Sequence, residues 1–436
     1  MDHATAWQGL FFWGFLVVFG AVMYAVSPRV RTESGFFLGH DEAGRPATRR
    51  ALMLSIFISW IFAKSVTNAA NLGAAYGIVG GLAYATYWLS IPFAGWIIFR
   101  LRTRDGATGI VPWLMARYGR AAALAFSAAI LVRLFNEVWS NTAVVGGYYG
   151  DAGSPAFIGA ALLFTAVVLF YSLKGGLRSS IFTDVIQAVV FVLFLGMVLA
   201  WIVPTHGPLR LLGEGRFALD AGLDLLLVAL LQVLSYPFHD PVLTDRGFIT
   251  DEKTMLRAFV VAGLLGFAAI LAFSLVGVHA RLEGLQGGGN VPAALARGLG
   301  LAGYFAMIAV MVSSAASTLD STFTSLSKSV ARELPLLAGR RPSIRAIGVG
   351  TTAMVAFALL GNLPMLLGTD ILKATTISGT MVIGLAVGQI PAAWAIGDGR
   401  YALLLGTNLY GLLICFTGFL LPLAVDRRRL VVATGS

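Results

Sequence analysis

The chain has 436 residues, of which 58% are apolar and only 12% are charged, and its formal net charge is +10. Soluble domains average about half apolar and a quarter charged residues, so this composition excludes an ordinary soluble protein. The charged residues lie in short clusters between apolar blocks, each long enough to cross a bilayer core of about 30 Å. The sequence therefore predicts an all-α polytopic membrane protein.

About 12 transmembrane helices are predicted from these apolar blocks. In chain order they lie near residues 7–27, 51–77, 80–99, 120–148, 154–173, 180–203, 222–245, 257–279, 300–330, 345–361, 368–396 and 401–425. The first block carries its positive charges after the apolar run, whereas a signal peptide carries them before it. We therefore expect a retained first helix whose start lies outside the cytoplasm.

The basic residues support this orientation. Most of the 31 lysines and arginines then fall in inward loops, including Arg45, Lys174 and Arg246, as the positive-inside rule requires. The outward loops hold Arg210, Arg216, Arg281 and Arg297. The tail at 427–429 would lie outside and contradicts the rule locally. The surplus of positive charge thus reflects topology in a cytoplasmic (inner) membrane, and no nucleic-acid partner is implied.

Two segments are expected to interrupt their helices. LSYPFHDPV (234–242) contains Pro237 and Pro241, each of which removes a backbone donor within the seventh span. The second span carries Lys64, and the Asn, Thr and Gly residues after it predict a break at 65–71. Broken helices in transporters mark substrate and ion sites.

Each break opens a run of five spans, at 51–203 and at 222–396. Five helices place the two runs in opposite orientations across the membrane, which predicts two inverted five-helix repeats with discontinuous first helices. The transporter core then covers 51–396. It is flanked by an N-terminal helix and inward loop at 1–50, and by a final helix and basic tail at 397–436.

Four segments resemble the sodium/solute symporter family. They are FAKSVTNAANLG (62–73), YSLKGGLRSSIFTDVIQ (171–187), YPFHDPVLTDRGFITDEKT (236–254) and VMVSSAASTLDSTFTSLSKSVARE (310–333). The second resembles the family's double-glycine motif, although Ser172 departs from the usual small apolar residue, and the last resembles its serine-rich helix. The resemblance implies a leucine-transporter fold and a sodium-coupled symporter that moves a small polar organic solute by alternating access.

The resemblance also implies an ion site. Sodium would be bound by the hydroxyls of Ser313 and Ser314 and by the carbonyl oxygens of Ala63, Val66 and Val310. Hydroxyls on one helix that face carbonyls freed by a broken helix suit a hard cation. The alternative is that these small residues only permit close helix packing. Asp184 would belong to the inward ion path, or would be a capping or surface acid near the cytoplasmic boundary.

Charged and polar side chains inside the spans are the substrate-site candidates. Arg133 and Glu137 lie four residues apart on one helical face, so they either pair with each other or border the substrate cavity. Asp320 is expected to pair with a basic residue towards the cytoplasm. The full set of substrate-binding candidates is Lys64, Asn68, Asn71, Glu137, Asn141, Tyr236, His239 and Asp240.

Lys64 allows three interpretations. It pairs with a buried acid such as Glu137 or Asp240, it binds the carboxylate of an anionic substrate, or its ammonium takes the place of the coupling cation. The last would make the protein proton-coupled or uncoupled on the same fold.

Because the sequence holds no activated nucleophile, metal cluster or phosphate loop, we expect no enzyme activity and no cofactor beyond Na+ as coupling ion. A non-transporting membrane sensor is the remaining alternative; the expected partners are the solute and the lipid bilayer.

Overall fold

The computed structural model describes residues 3–233, 240–285 and 289–367, and within these ranges all regular structure is helical. Six helical stretches are long and apolar enough to cross a membrane, or seven if one bent pair counts as a span. The expectation of an all-α membrane protein is therefore confirmed. The predicted spans 368–396 and 401–425 and the basic tail lie outside the described residues.

The helices follow one another with short connections. The first half contains α1 (His3–Val26), α2 (Glu33–Leu38), α3 (Arg49–Ser59), α4 (Ala63–Tyr76), α5 (Ile78–Ala85), α6 (Ser90–Asp105), α7 (Ile110–Gly146), α8 (Pro155–His206) and α9 (Pro208–Gly213). The second half contains α10 (Leu223–Val233), α11 (Pro241–Arg246), α12 (Glu252–Leu282), α13 (Val291–Gly298), α14 (Gly300–Lys328), α15 (Leu334–Leu337) and α16 (Ala346–Leu360).

The second predicted span is broken, but at a different place from the one expected. α3 and α4 form a single apolar stretch bent by 58° at residues 60–62, whereas 65–71 is helical within α4. The predicted break at 65–71 was therefore wrong. That segment stays helical because α4 packs closely on α12, where a Cβ at Gly277 would lie 1.8 Å from the carbonyl oxygen of Ala70.

The bend at 60–62 depends on partners from other helices. The Trp60 indole donates to Asp240 Oδ2 at 2.8 Å, and the Ser59 carbonyl accepts from the Thr318 hydroxyl at 3.3 Å. A carbonyl at the end of a helix needs such a partner when it is buried. Since residues 60–62 include no proline or glycine, no local signal marks the bend.

The predicted spans 154–173 and 180–203 are the two arms of α8. They meet at Gly176, whose φ of 55° and ψ of −137° interrupt the helical geometry. A Cβ at Gly176 would lie 2.4 Å from the Phe36 carbonyl oxygen, and one at Gly175 would lie 2.4 Å from that of Pro28. The double-glycine motif therefore provides both the turn and the room for the segment around α2.

The second broken helix is described only in part. α10 is described as far as Val233 and α11 begins at Pro241, while residues 234–239, with the predicted site residues Tyr236 and His239, lie outside the described ranges. Asp240 has extended backbone angles, so no helix runs through it. Its Oδ1 accepts from the Leu243 amide at 3.2 Å, which makes Asp240 the N-cap of α11.

Candidate functional site

Four buried charges surround the bend between α3 and α4. This four-charge cluster consists of Lys64 on α4, Arg133 and Glu137 on α7, and Asp240 before α11. Lys64 Nζ lies 2.7 Å from Glu137 Oε2, and Arg133 Nη2 lies 2.7 Å from Asp240 Oδ2 and 3.5 Å from Glu137 Oε1. Two cations thus balance two anions inside the helix bundle.

Polar neighbours complete this cluster. Lys64 donates to the Ser140 hydroxyl at 3.2 Å, and Asn141 donates to Glu137 Oε2 at 3.2 Å. A buried charge is tolerated only when it is paired and hydrogen-bonded. The structure therefore shows Lys64 paired with an acid, the first of its three interpretations. The expected pair of Arg133 with Glu137 is present, although Asp240 is the nearer partner of Arg133.

A second polar cluster lies between α3, α8, α11 and α14, and we call it the Arg246 cluster. Arg246 Nη2 lies 3.0 Å from Asp184 Oδ2, and both side chains are fully buried. Arg246 was expected in an inward loop, which was wrong, because its guanidinium lies inside the protein on α11. The alternative of Asp184 as a surface acid is also wrong.

Serine hydroxyls donate the remaining hydrogen bonds that Asp184 accepts. Ser55 and Ser317 each donate to it at 2.5 Å, and Ser59 donates at 3.1 Å. Ser55 also accepts from Arg246 Nε at 2.8 Å, so one hydroxyl joins the acid to the base. These serines were not proposed from the sequence, because hydroxyls from distant helices converge only in the folded chain.

Asp320 adds a second carboxyl group to the Arg246 cluster. Its carboxylate accepts from Ser180 at 2.7 Å, from Thr183 at 3.1 Å and from Ser321 at 3.2 Å. It forms no ion pair within the described ranges, so the expected basic partner towards the cytoplasm was wrong. With both carboxylates ionised, the cluster holds two negative charges against the one positive charge of Arg246.

The predicted sodium ligands lie on elements that meet at the bend. Ala63 and Val66 are in the first turn of α4, and Val310, Ser313 and Ser314 are on α14, all five fully buried. The hydroxyl hydrogens of Ser313 and Ser314 point to carbonyls of their own helix, those of Ala309 and Met311, which leaves lone pairs available to a cation.

α14 touches the bend directly one turn further along. Thr318 donates to the Ser59 carbonyl, and Ser317 donates to Asp184. The carboxyl groups of the Arg246 cluster therefore lie beside the same helix that carries Ser313 and Ser314.

The remaining predicted substrate residues divide into two groups. Asn68 and Asn141 are fully buried; Asn68 donates to the Tyr84 hydroxyl at 3.3 Å, and Oδ1 of Asn141 has no hydrogen-bond partner within the described part of the chain. Asn71 donates to the Gly289 carbonyl at 2.7 Å and accepts from the Val291 amide at 3.0 Å. The NH2 and the C=O of the Asn71 side-chain amide are thus both hydrogen-bonded to the segment at the start of α13.

Comparison with solved structures identifies the class of fold. A substrate-bound, outward-open Na+-coupled sialic acid symporter aligns with a TM-score of 0.66 and 16% identity, covering 93% of this chain and 95% of that one. MhsT in complex with L-phenylalanine aligns with a TM-score of 0.54 and 14% identity, covering 85% and 98% of the two chains. The protein therefore has a leucine-transporter-like fold, as the sequence indicated.

Sequence comparison then points to the family. The model of the sodium:solute symporter family matches residues 36–207. The chain is 26% identical over 186 residues to mouse solute carrier family 5 member 4B, and 27% identical over 168 residues to the human sodium/myo-inositol cotransporter. These matches cover 42% and 37% of this chain, and only 27% and 22% of the relatives. The resemblance to the sodium/solute symporter family is confirmed over this part of the chain.

Proposed function

We propose that the protein is a sodium-coupled symporter that carries a small polar organic solute across the cytoplasmic membrane by alternating access. The contact between the hydroxyl-rich helix α14 and the bend between α3 and α4 carries this proposal. That contact places the Ser59 carbonyl oxygen of the broken helix beside the Thr318 hydroxyl on α14, and oxygens of these two kinds suit a sodium ion. The likeness to Na+-coupled transporters supports the same function.

The ion site that we propose uses the Ser313 and Ser314 hydroxyls with the carbonyls of Ala63, Val66 and Val310. Its inward continuation is the Arg246 cluster, where Asp184 and Asp320 outnumber the single guanidinium. With both carboxyl groups ionised, the cluster attracts a cation in the low-dielectric interior. This supports Asp184 as part of the inward ion path.

The solute site that we propose lies between the two broken helices. Asn68, Glu137 and Asn141 would contribute to it together with Lys64 and Asp240, and Tyr236 and His239 remain candidates from outside the described ranges. Because Lys64 is already paired with Glu137 at 2.7 Å, capture of a carboxylate by Lys64 would require that pair to open. The pairing therefore supports a solute recognised mainly by hydrogen bonds.

The proposed architecture has 12 spans, with inverted repeats at 51–203 and 222–396 and one flanking segment at each end. The N-terminus would lie outside. We propose transport without covalent chemistry, with Na+ as the coupling ion, no other cofactor, and the solute and the bilayer as partners.

One experiment tests sodium binding without knowledge of the solute. Thermal unfolding of the purified protein in detergent is compared in sodium, potassium and choline chloride at equal ionic strength. A ligand at a hundredfold excess over its Kd stabilises the folded state by about 2.7 kcal/mol. We expect stabilisation by sodium alone, and its loss in Ser313→Ala/Ser314→Ala. The matched control is Ser325→Ala/Ser327→Ala, which removes two buried hydroxyls of the same helix that have no partner within the described residues.

The same experiment distinguishes the proposed sodium-coupled symporter from the main alternative function. Lys64 lies between Ala63 and Val66, and this position favours a second candidate function, a proton-coupled or uncoupled transporter in which the ammonium replaces the ion. A wild type indifferent to sodium and a sodium response gained by Lys64→Ala would establish that alternative. An unchanged sodium response in Ser313→Ala/Ser314→Ala would overturn the proposed ion site.

A further inference from the structure

Two histidines and a glutamate converge at one end of the bundle, away from both buried clusters. His206 is the last residue of α8, His279 lies in the last turn of α12, and Glu283 is the residue that follows α12. In the proposed topology both helix ends are on the outer side of the membrane. Each side chain offers one ligand atom, and the three atoms lie within 4.8 Å of one another.

The spacing suits a single transition-metal ion. Zinc takes imidazole nitrogens and carboxylate oxygens at about 2.0–2.2 Å, so neighbouring ligand atoms of a tetrahedral site lie about 3.4 Å apart. His206 Nε2 is 3.0 Å from Glu283 Oε1, and the two imidazole rings have their centroids 5.1 Å apart at an angle of 55°. Movements of about 1 Å would bring all three atoms to coordination distance.

The ring nitrogens lack other partners, which is the second observation in favour of a ligand. His206 Nε2 and His279 Nδ1 are buried and have no aligned hydrogen bond within the described residues, even though Glu283 is close to His206. A buried polar atom without a partner destabilises the folded protein. A metal ion that accepts both nitrogen lone pairs would remove this destabilisation.

The surroundings leave Glu283 available and open a path for the ion. The nearest arginine in sequence, Arg281, is held elsewhere: it lies 3.0 Å from Glu214 Oε1 and donates to the carbonyls of Ala74 and Ala75. The Glu283 side chain is 44% exposed, so an ion can reach the site from solvent. Three protein ligands with one side open to water is the arrangement of an open zinc site.

We propose that His206, His279 and Glu283 bind one Zn2+ ion, with water at the fourth position, and that the ion joins the ends of α8 and α12. Imidazole and carboxylate ligands in tetrahedral geometry favour zinc over calcium and magnesium, which take oxygen ligands. The site is independent of the proposed sodium site, because it shares no residue with the bend or with α14.

The test uses the purified full chain in detergent after treatment with a chelator. Zn2+ binding is measured by titration calorimetry, and Co2+ binding by visible absorption, whose intensity distinguishes tetrahedral from octahedral coordination. We expect one ion per chain, a tetrahedral Co2+ spectrum, and an increase in the unfolding temperature that the chelator reverses. His206→Asn, His279→Asn and Glu283→Gln should each weaken binding at least tenfold.

The matched control is His40→Asn, which removes a histidine from the connection after α2 and should leave Zn2+ binding unchanged. Equal Zn2+ affinity in wild type and His206→Asn, or an octahedral Co2+ spectrum, would overturn the proposal. His206 and Glu283 are both partly exposed, so their variants remain informative if His279→Asn does not fold.

Discussion

At the scale of single residues, charge balance explains why Lys64 is tolerated inside the helix bundle. Its side chain is 3% exposed and lies 2.7 Å from Glu137, whose side chain is 4% exposed. An unpaired ammonium near the middle of a bilayer costs several kcal/mol, so the lysine and the glutamate depend on each other. Arg133 and Asp240 add a second pair at 2.7 Å, and the cluster as a whole is neutral.

This dependence predicts the effect of removing one partner. Among the described residues, Lys64→Met leaves Glu137 buried with Arg133 at 3.5 Å as its one ion-pair partner, and we expect a loss of about 3–5 kcal/mol in the free energy of unfolding. The double variant Lys64→Met/Glu137→Gln removes both charges, and it should recover most of the loss. Unfolding in mixed detergent, followed by circular dichroism, measures both values.

The matched control is Arg216→Gln, which breaks an exposed pair with Asp220 whose side chains are 70% and 72% accessible. Exposed pairs contribute at most about 1 kcal/mol, so little change is expected. A Lys64→Met variant as stable as Arg216→Gln would show that the pair with Glu137 does not hold the lysine in place.

Arg246 shows what sequence reasoning misses at this scale. The positive-inside rule placed it in a loop, because an arginine beside polar residues at the end of an apolar run is usually exposed. Its real environment consists of Asp184 from α8, Ser55 from α3 and Ser321 from α14. No property of the residues next to Arg246 in the chain encodes partners on three other helices.

At the scale of elements, the structure depends on where each helix is interrupted. The turn of α8 falls at its double glycine, because only glycine adopts a φ of 55° without strain and leaves room for the Phe36 carbonyl. The bend between α3 and α4 had no such signal. It is held by Trp60 and Ser59 through contacts with Asp240 and Thr318.

The turn of α8 leads to a second prediction. Gly176→Ala would place a Cβ 2.4 Å from the Phe36 carbonyl and would strain the backbone, so we expect loss of folded protein or destabilisation by several kcal/mol. Size-exclusion profiles and unfolding temperatures in detergent measure the effect.

Gly196→Ala provides the control within the same helix, because its Cβ would meet nothing within 4 Å. Alanine favours helix over glycine by up to about 1 kcal/mol, so this variant should be unchanged or slightly more stable. Equal behaviour of the two variants would contradict the assigned role of Gly176.

At the scale of the whole molecule, the orientation in the membrane remains a prediction, and it can be tested directly. In a Cys415→Ser background, single cysteines are placed at Arg45 and Arg216, whose side chains are 77% and 70% exposed in loops assigned to opposite sides. We expect a membrane-impermeant maleimide to label Arg216→Cys in intact cells and Arg45→Cys only after permeabilisation. The reverse pattern would invert the topology.

The sequence by itself determined the features that depend on composition and local pattern. Apolar blocks of bilayer length predicted the all-helical membrane fold, and the double glycine and the serine-rich helix carried the resemblance to the sodium/solute symporter family. These features were readable because bilayer insertion and tight turns constrain residue types over short stretches. Lys64 and Glu137 could also be proposed as partners, since buried charges require neutralisation.

Only the tertiary structure decided how distant residues combine. It moved the first break from 65–71 to 60–62, buried Arg246 against Asp184, and joined Arg133 to Asp240 across 107 positions of the chain. It also brought His206 to His279 and Glu283. The physical reason is that buried polar groups must be satisfied by whichever partners packing brings near, and packing is a property of the whole bundle.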